Sequence, residues 1–186
     1  MTPNKNVLIA LTALALIALT VAVRLSDHLP NMTPVIAVGL VAGAYLGRSY
    51  SYLVPLAALF ISDLVLGFYD WRIMASVYGS FAFVGGLGYL MRKYRGVQSY
   101  ALLAIGGSTL FFLVTNATVW AFSAWYPKTL SGLLYAYEMG IPFWRNMVFG
   151  DILYTAVLVG ACELAILLYA KYQLTHKTAL VTASIE

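Results

Sequence analysis

Apolar residues in this chain come in long stretches parted by short polar clusters. The stretches run over 7–23, 34–47, 53–68, 73–91, 100–119 and 149–170. The first reads VLIALTALALIALTVAV and carries no charge. A bilayer core takes about 20 apolar residues in helical form, and backbone groups in lipid must bond within their own helix. Six such stretches in succession predict an all-α integral membrane protein, a single domain over residues 1–186 folded as one bundle of six transmembrane helices. The polar clusters predict the joints. Arg48-Ser49-Tyr50-Ser51-Tyr52 reads as a tight turn between the second and third helices, and Tyr69-Asp70-Trp71-Arg72 as one between the third and fourth.

Residues 120–146, WAFSAWYPKTLSGLLYAYEMGIPFWRN, read as a long external loop before the last helix. Within it, 129–139 is expected to form a short helix at the membrane interface, ended by Pro142. Its aromatic content argues against disorder. A loop of this length usually serves function, and a lid over a binding site is the expected role.

Composition agrees with a membrane setting. The chain is 62% hydrophobic and 10% charged, against about 25% charged in soluble domains. The single cysteine, Cys162, excludes an internal disulfide framework and a four-cysteine metal site. The net charge of +4 is too scattered for nucleic acid and reads as an orientation signal. With six helices, Lys5, Arg48, Arg92, Lys93, Arg95, Lys171 and Lys177 share one side, and Arg24, Arg72, Lys128 and Arg145 the other. Seven against four places both termini in the cytoplasm. The alternative is a first helix cleaved as a signal peptide, but its 17 apolar residues exceed the usual core of about 7–15.

Small residues recur at spacing four: Gly39, Gly43 and Gly47 in the second helix, Ala18 and Ala22 in the first, Ala161 and Ala165 in the last. Such faces let backbones approach. They serve either packing inside the bundle or contact with a partner.

Candidate chemistry gathers at the outer side. All four tryptophans, Trp71, Trp120, Trp125 and Trp144, fall there. An interfacial belt places aromatics at both surfaces, so an aromatic-lined pocket is the competing reading. Asp63 lies amid apolar residues in ALFISDLVLGF, where a lone carboxylate costs about 2.5–3.5 kcal/mol and must find a partner. It either serves the pocket or pairs with Arg72 or Arg145 to hold the outer ends together. Asn116 stands four residues before Trp120, on the same helix face. Asp151 follows Arg145 and Asn146 in the first turns of the last helix, where the dipole favours its charge and Asn146 is placed to cap. Thr33 and Pro34 read as N-cap and first residue of the second helix. The candidate substrate-binding set is Asn31, Asp63, Asp70, Trp71, Asn116, Trp120, Trp144, Arg145, Asn146 and Asp151. His28 reads as a solvated loop residue, Cys162 as a small apolar one. Glu163 is open between the pocket floor, a partner and the inner interface. His28 and His176 fall on opposite sides and cannot share a site. No metalloprotease, nucleophile-elbow, phosphate-loop or Cys-x-x-Cys motif is present, so neither enzyme activity nor a cofactor is expected. An intramembrane enzyme using Asp63 and Asp151 lacks an accompanying nucleophile or metal set.

Six short helices, this length and an aromatic outer mouth resemble the S components, the substrate-binding membrane subunits of energy-coupling factor vitamin transporters. The segments Pro30-Asn31-Met32-Thr33-Pro34, Pro55 to Asp63 with Gly67-Phe68-Tyr69-Asp70, and Tyr126 to Leu133 with Phe143-Trp144-Arg145-Asn146 and Gly150-Asp151 resemble a bacterial membrane family related to them. The resemblance covers roughly residues 30–160. It implies a binder of a vitamin-like micronutrient, loaded from outside. It further implies hand-over to a transmembrane coupling subunit and an ATPase module through small residues of the first helix, such as Ala18 and Ala22, or solitary action. The ligand expected is small and aromatic or heterocyclic, stacked on tryptophan and held by Asp63, Asn116, Asn146 and Asp151, with Arg145 or Lys128 facing any anionic group. The rival is a non-catalytic structural subunit of a larger membrane complex.

Overall fold

A computed structural model describes the backbone of residues 4–183 and the side chains of residues 4–175. The side chains of His176 and Lys177 therefore lie outside the described residues. Six helices follow in order: α1 (Lys5–Leu25), α2 (Val35–Val41, prolonged by a π-helical turn over Ala42–Leu46), α3 (Arg48–Leu66), α4 (Trp71–Lys93), α5 (Val97–Phe122) and α6 (Leu130–Ala183). No strand occurs among the described residues. All but α2 are long and apolar enough to cross a membrane, so the six expected spans are corrected to five candidates, the second stretch forming a helix too short to count among them. By length and composition this is a helical, multi-pass membrane protein. The periphery agrees: Leu8, Leu11, Leu14, Leu53, Leu64 and Phe83 are all exposed, as lipid-facing side chains are.

Local chemistry explains most boundaries. Asn4 caps α1 by accepting from Asn6 N at 3.0 Å, and Asp70 caps α4 by accepting from Arg72 N at 2.9 Å. Gly47, at φ 118°, breaks the chain between α2 and α3, a backbone region that favours glycine. The expected turn over residues 48–52 is thus corrected to the first turn of α3. At the start of α2, Pro34 occupies the cap position without a side-chain bond, so Thr33 does not cap it.

The short α2 is the axis of the bundle. Every residue of Val35–Val41 is buried, packed against α3, α4, α5 and α6. The main core joins Val35, Ile36, Leu40 and Val41 to Leu59, Phe81, Val84, Met91 and Met147. Gly43 brings α2 onto α4: a Cβ there would stand 2.7 Å from the Gly88 backbone. The glycine face of the second helix therefore serves internal packing at Gly43. Ala161 and Ala165 line an apolar groove between α1 and α6.

The largest departure from expectation is α6. The long aromatic loop is reduced to residues 123–129, and one 54-residue helix, about 80 Å at 1.5 Å per residue, replaces both the short interfacial helix and the last span. Pro142 lies inside it. Proline removes one helical hydrogen bond, but neighbouring helices and polar groups make that tolerable in membrane helices. Here Tyr137 donates to the Leu113 carbonyl at 2.9 Å and Trp144 donates to Thr109 Oγ1 at 3.3 Å. Together they pin α6 to α5 on both sides of the proline. The loop expected as a lid is instead the first part of α6, packed on α5.

Candidate functional site

A recess of about 170 Å³ opens at the end of the bundle where α2 begins. Its walls come from two helices read at one spacing. On α5 they are Phe112, Thr115, Asn116 and Val119; on α6, Gly140, Phe143, Trp144 and Met147. Both sets fall at i, i+3, i+4 and i+7, a single helix face. Phe111 and Asn31 complete the lining, and no charged side chain contributes. Phe112 is the hub of the aromatic wall, its centroid 5.5 Å from Tyr137 and 5.8 Å from Trp144. Asn31 adopts φ 62°, a left-handed conformation that asparagine tolerates better than most residues.

The polar edge of the recess is Asn116. Its Nδ2 donates to the Phe112 carbonyl at 2.9 Å, which fixes the amide, and Oδ1 has no hydrogen-bond partner among the described residues. Gly140 makes room for it. A Cβ on Gly140 would lie 2.6 Å from Asn116 Oδ1 and 2.8 Å from the Phe112 ring. The hairpin tip is tied independently: Trp120 Nε1 donates to the Pro127 carbonyl at 2.9 Å, and Lys128 donates to the carbonyls of Trp120 and Ser123.

Of the sequence-expected residues, Asn31, Asn116 and Trp144 line this recess. The others are placed elsewhere, each for a visible reason. Asp70 is the α4 cap. Trp71 is 70% exposed under the Arg72 guanidinium, 5.6 Å away. Trp120 serves the hairpin, as does Lys128. Arg145 is exposed and outside the lining. Asn146 lies within α6 rather than at its start, and donates to the Pro30 carbonyl at 3.3 Å, tying the α1–α2 connection to α6. Asp151 is likewise far from the α6 start, so the dipole of that terminus does not reach it.

Asp63 belongs to a separate cluster. Only 2% exposed, it accepts from Arg24 Nη2 at 2.6 Å and from the Tyr78 hydroxyl at 2.9 Å. Arg24 Nε reaches Ser62 Oγ at 2.6 Å. The partner is thus Arg24, in place of the expected Arg72 or Arg145, because α1 packs along α3 and brings its last turn beside Ser62 and Asp63. In the loop after α3, partial burial first and the Asp63 carboxylate second push the Tyr69 phenol up to about 12, against Arg24, which lowers it. The Tyr69 phenol is thereby held neutral.

Asp151 is 1% exposed and has no ion-pair partner among the described residues. Ser108 Oγ approaches its Oδ2 at 2.7 Å, while Oδ1 and the Thr155 hydroxyl are unpartnered. At the opposite end of the bundle, Glu163 accepts from Tyr45 at 2.6 Å and lies 3.8 Å from Arg95, next to half-buried Cys162. Glu163 is thus remote from the recess. His28 is exposed, its Nδ1 2.7 Å from the Ser26 carbonyl. No group of three potential metal-binding side chains occurs among the described residues.

Sequence reasoning missed Phe112, Thr115, Val119, Gly140, Phe143 and Met147, and Phe111 beside them. Their shared spacing is the available signal, and on α6 Pro142 hides it by arguing for a loop over 120–146. A protein family described as being of unknown function (DUF6580) matches residues 4–176. Neither a curated protein nor a solved structure matches the chain.

Proposed function

Because the chain belongs to the DUF6580 family, whose description assigns no function, we propose from its own geometry that it is the substrate-binding membrane subunit for uptake of a small, neutral, ring-bearing micronutrient. One observation carries this reading: a fixed asparagine amide with a free carbonyl oxygen, Asn116 Oδ1, set among the aromatic walls of an open recess. Ligand sites combine apolar and aromatic walls with a few placed polar groups. The free oxygen selects a ligand N–H or O–H, and Trp144 and Phe112 offer ring faces for stacking. The uncharged lining favours a neutral compound. At about 170 Å³ the recess is below the usual 300–1,000 Å³, which favours a single ring over a large cofactor-like vitamin. The protein sits in a bacterial inner membrane with both termini cytoplasmic and the recess external. Passage inward belongs to a transmembrane coupling subunit and an ATPase module.

The test is a thermal-shift screen of the purified protein against water-soluble vitamins and their single-ring precursors. A ligand held at 100-fold its Kd stabilises by about 2.7 kcal/mol. Gly140→Ala puts a Cβ against Asn116 Oδ1 and the Phe112 ring, displaces the polar edge of the recess and is expected to abolish the shift, with the ligand-free melting temperature as the check that the variant folds. Asn116→Ala keeps the space and is expected to weaken binding about tenfold, the loss of one hydrogen bond of about 1–1.5 kcal/mol. A shift that survives both substitutions places the ligand elsewhere. No shift across the panel, together with stable capture of other membrane subunits, supports the structural-subunit rival.

A further inference from the structure

Two buried carboxyl groups in this bundle have opposite surroundings. Asp63 has a guanidinium and a phenol on it. Asp151, equally buried, has one hydroxyl in reach and one oxygen that makes no hydrogen bond among the described residues. An ionised carboxylate accepts at both oxygens and cannot donate. Left unpaired in a low-dielectric interior, its charge costs several kcal/mol.

Ser108 has one hydrogen and two acceptors in reach. Its Oγ stands 2.9 Å from the Ala104 carbonyl and 2.7 Å from Asp151 Oδ2. A serine hydroxyl has one hydrogen to donate. With that hydrogen on Asp151 Oδ2, a carboxylate would keep its buried charge with one hydroxyl donor and no cation; with it on the Ala104 carbonyl, the short contact to Asp151 is made by a hydrogen on the carboxyl, and the buried charge is gone. We propose that Asp151 is a proton-binding site, its Oδ2 carrying a hydrogen that it donates to Ser108 Oγ, with Ser108 in turn donating to the Ala104 carbonyl. The chain of donors then closes with every hydrogen used once.

The groups facing Asp151 agree. From α5 comes Ser108. From α2 comes the Ala37 amide, a neutral donor that favours the charged form but is too long or bent to count as a bond to Oδ1. On α6 itself stands Thr155. None is a cation, and the first turn of α2 supplies only a partial positive charge. The position is also suited to exchange. Met147, Asp151 and Thr155 succeed one another at spacing four on α6. Met147 lines the recess, and Thr155 lines a second cavity of about 260 Å³ between α5 and α6. The site thus lies one helical turn from each, and the inference holds whatever fills the recess.

Infrared spectroscopy of the purified protein at neutral pH tests it, with the proton itself as ligand. The wild type is expected to show a protonated-carboxyl C=O band that shifts in D₂O. Asp151→Asn should lose the band, whereas Glu163→Gln, which alters a half-exposed acid paired with Tyr45 and Arg95, should keep it. Ser108→Ala removes the acceptor and should move the band to higher frequency. Absence of the band in the wild type, or its persistence in Asp151→Asn, overturns the proposal. If Asp151→Asn does not fold, the Ser108→Ala spectrum decides, and an unshifted band overturns it.

Discussion

Replacing Arg24 by alanine should destabilise the folded protein by about 3–5 kcal/mol, the cost of leaving a buried charge without its partner. Asp63 is 2% exposed, and among the described residues Arg24 supplies its only cation, at 2.6 Å. Tyr78 alone cannot neutralise a carboxylate. The substitution also strips Ser62 Oγ of the Arg24 Nε donor. At about 2–4 °C per kcal/mol for a chain of this size, the melting temperature should fall by roughly 6–20 °C. The double variant Arg24→Leu/Asp63→Leu removes both charges. It should recover most of the loss, since apolar replacement of a buried pair is often neutral or better. Thermal unfolding of the four-member cycle in one detergent measures this. A single variant as stable as the wild type would show that the pair is solvated and carries no structural weight.

Alanine at Gly43 is the second large effect expected. Its Cβ would meet backbone atoms of Gly88 at 2.7 Å and Ser51 Cβ at 2.9 Å. Backbone cannot rotate away as a side-chain tip can, so α2 and α4 must separate. Overpacking of a well-filled core costs about 1–3 kcal/mol and at times more, and a backbone obstacle argues for the upper part of that range. Gly79→Ala is the internal control, because a Cβ there has nothing within 4 Å and alanine is the better helix former by about 1 kcal/mol. Melting temperatures should separate, Gly43→Ala lower and Gly79→Ala unchanged or higher. Equal behaviour of the two would mean that α2 is not clamped against α4.

These two sites differ in how visible they are in the residue string. The glycine spacing in the second apolar stretch marks a close-approach face, and only its partner was open. Asp63 likewise announces a need for compensation, yet Arg24 stands 39 positions earlier, and nothing local selects it over Arg72 or Arg145. The recess was harder still. Asn116 and Trp144 stand out as polar and aromatic groups near one end. Gly140, Phe143 and Met147 become meaningful only once residues 130–147 are known to be helical, and Pro142 argues against that when read alone.

Hydrocarbon offers no water to an unpaired backbone amide, so each apolar stretch had to become a helix, and their number and rough position follow from local composition without any knowledge of neighbours. What the assembled bundle alone decides is different in kind. Whether a proline ends a helix or rides within it, which cation meets which acid, and which faces enclose space are all settled by groups distant in the chain, because those free energies exist only between side chains that packing has already brought together.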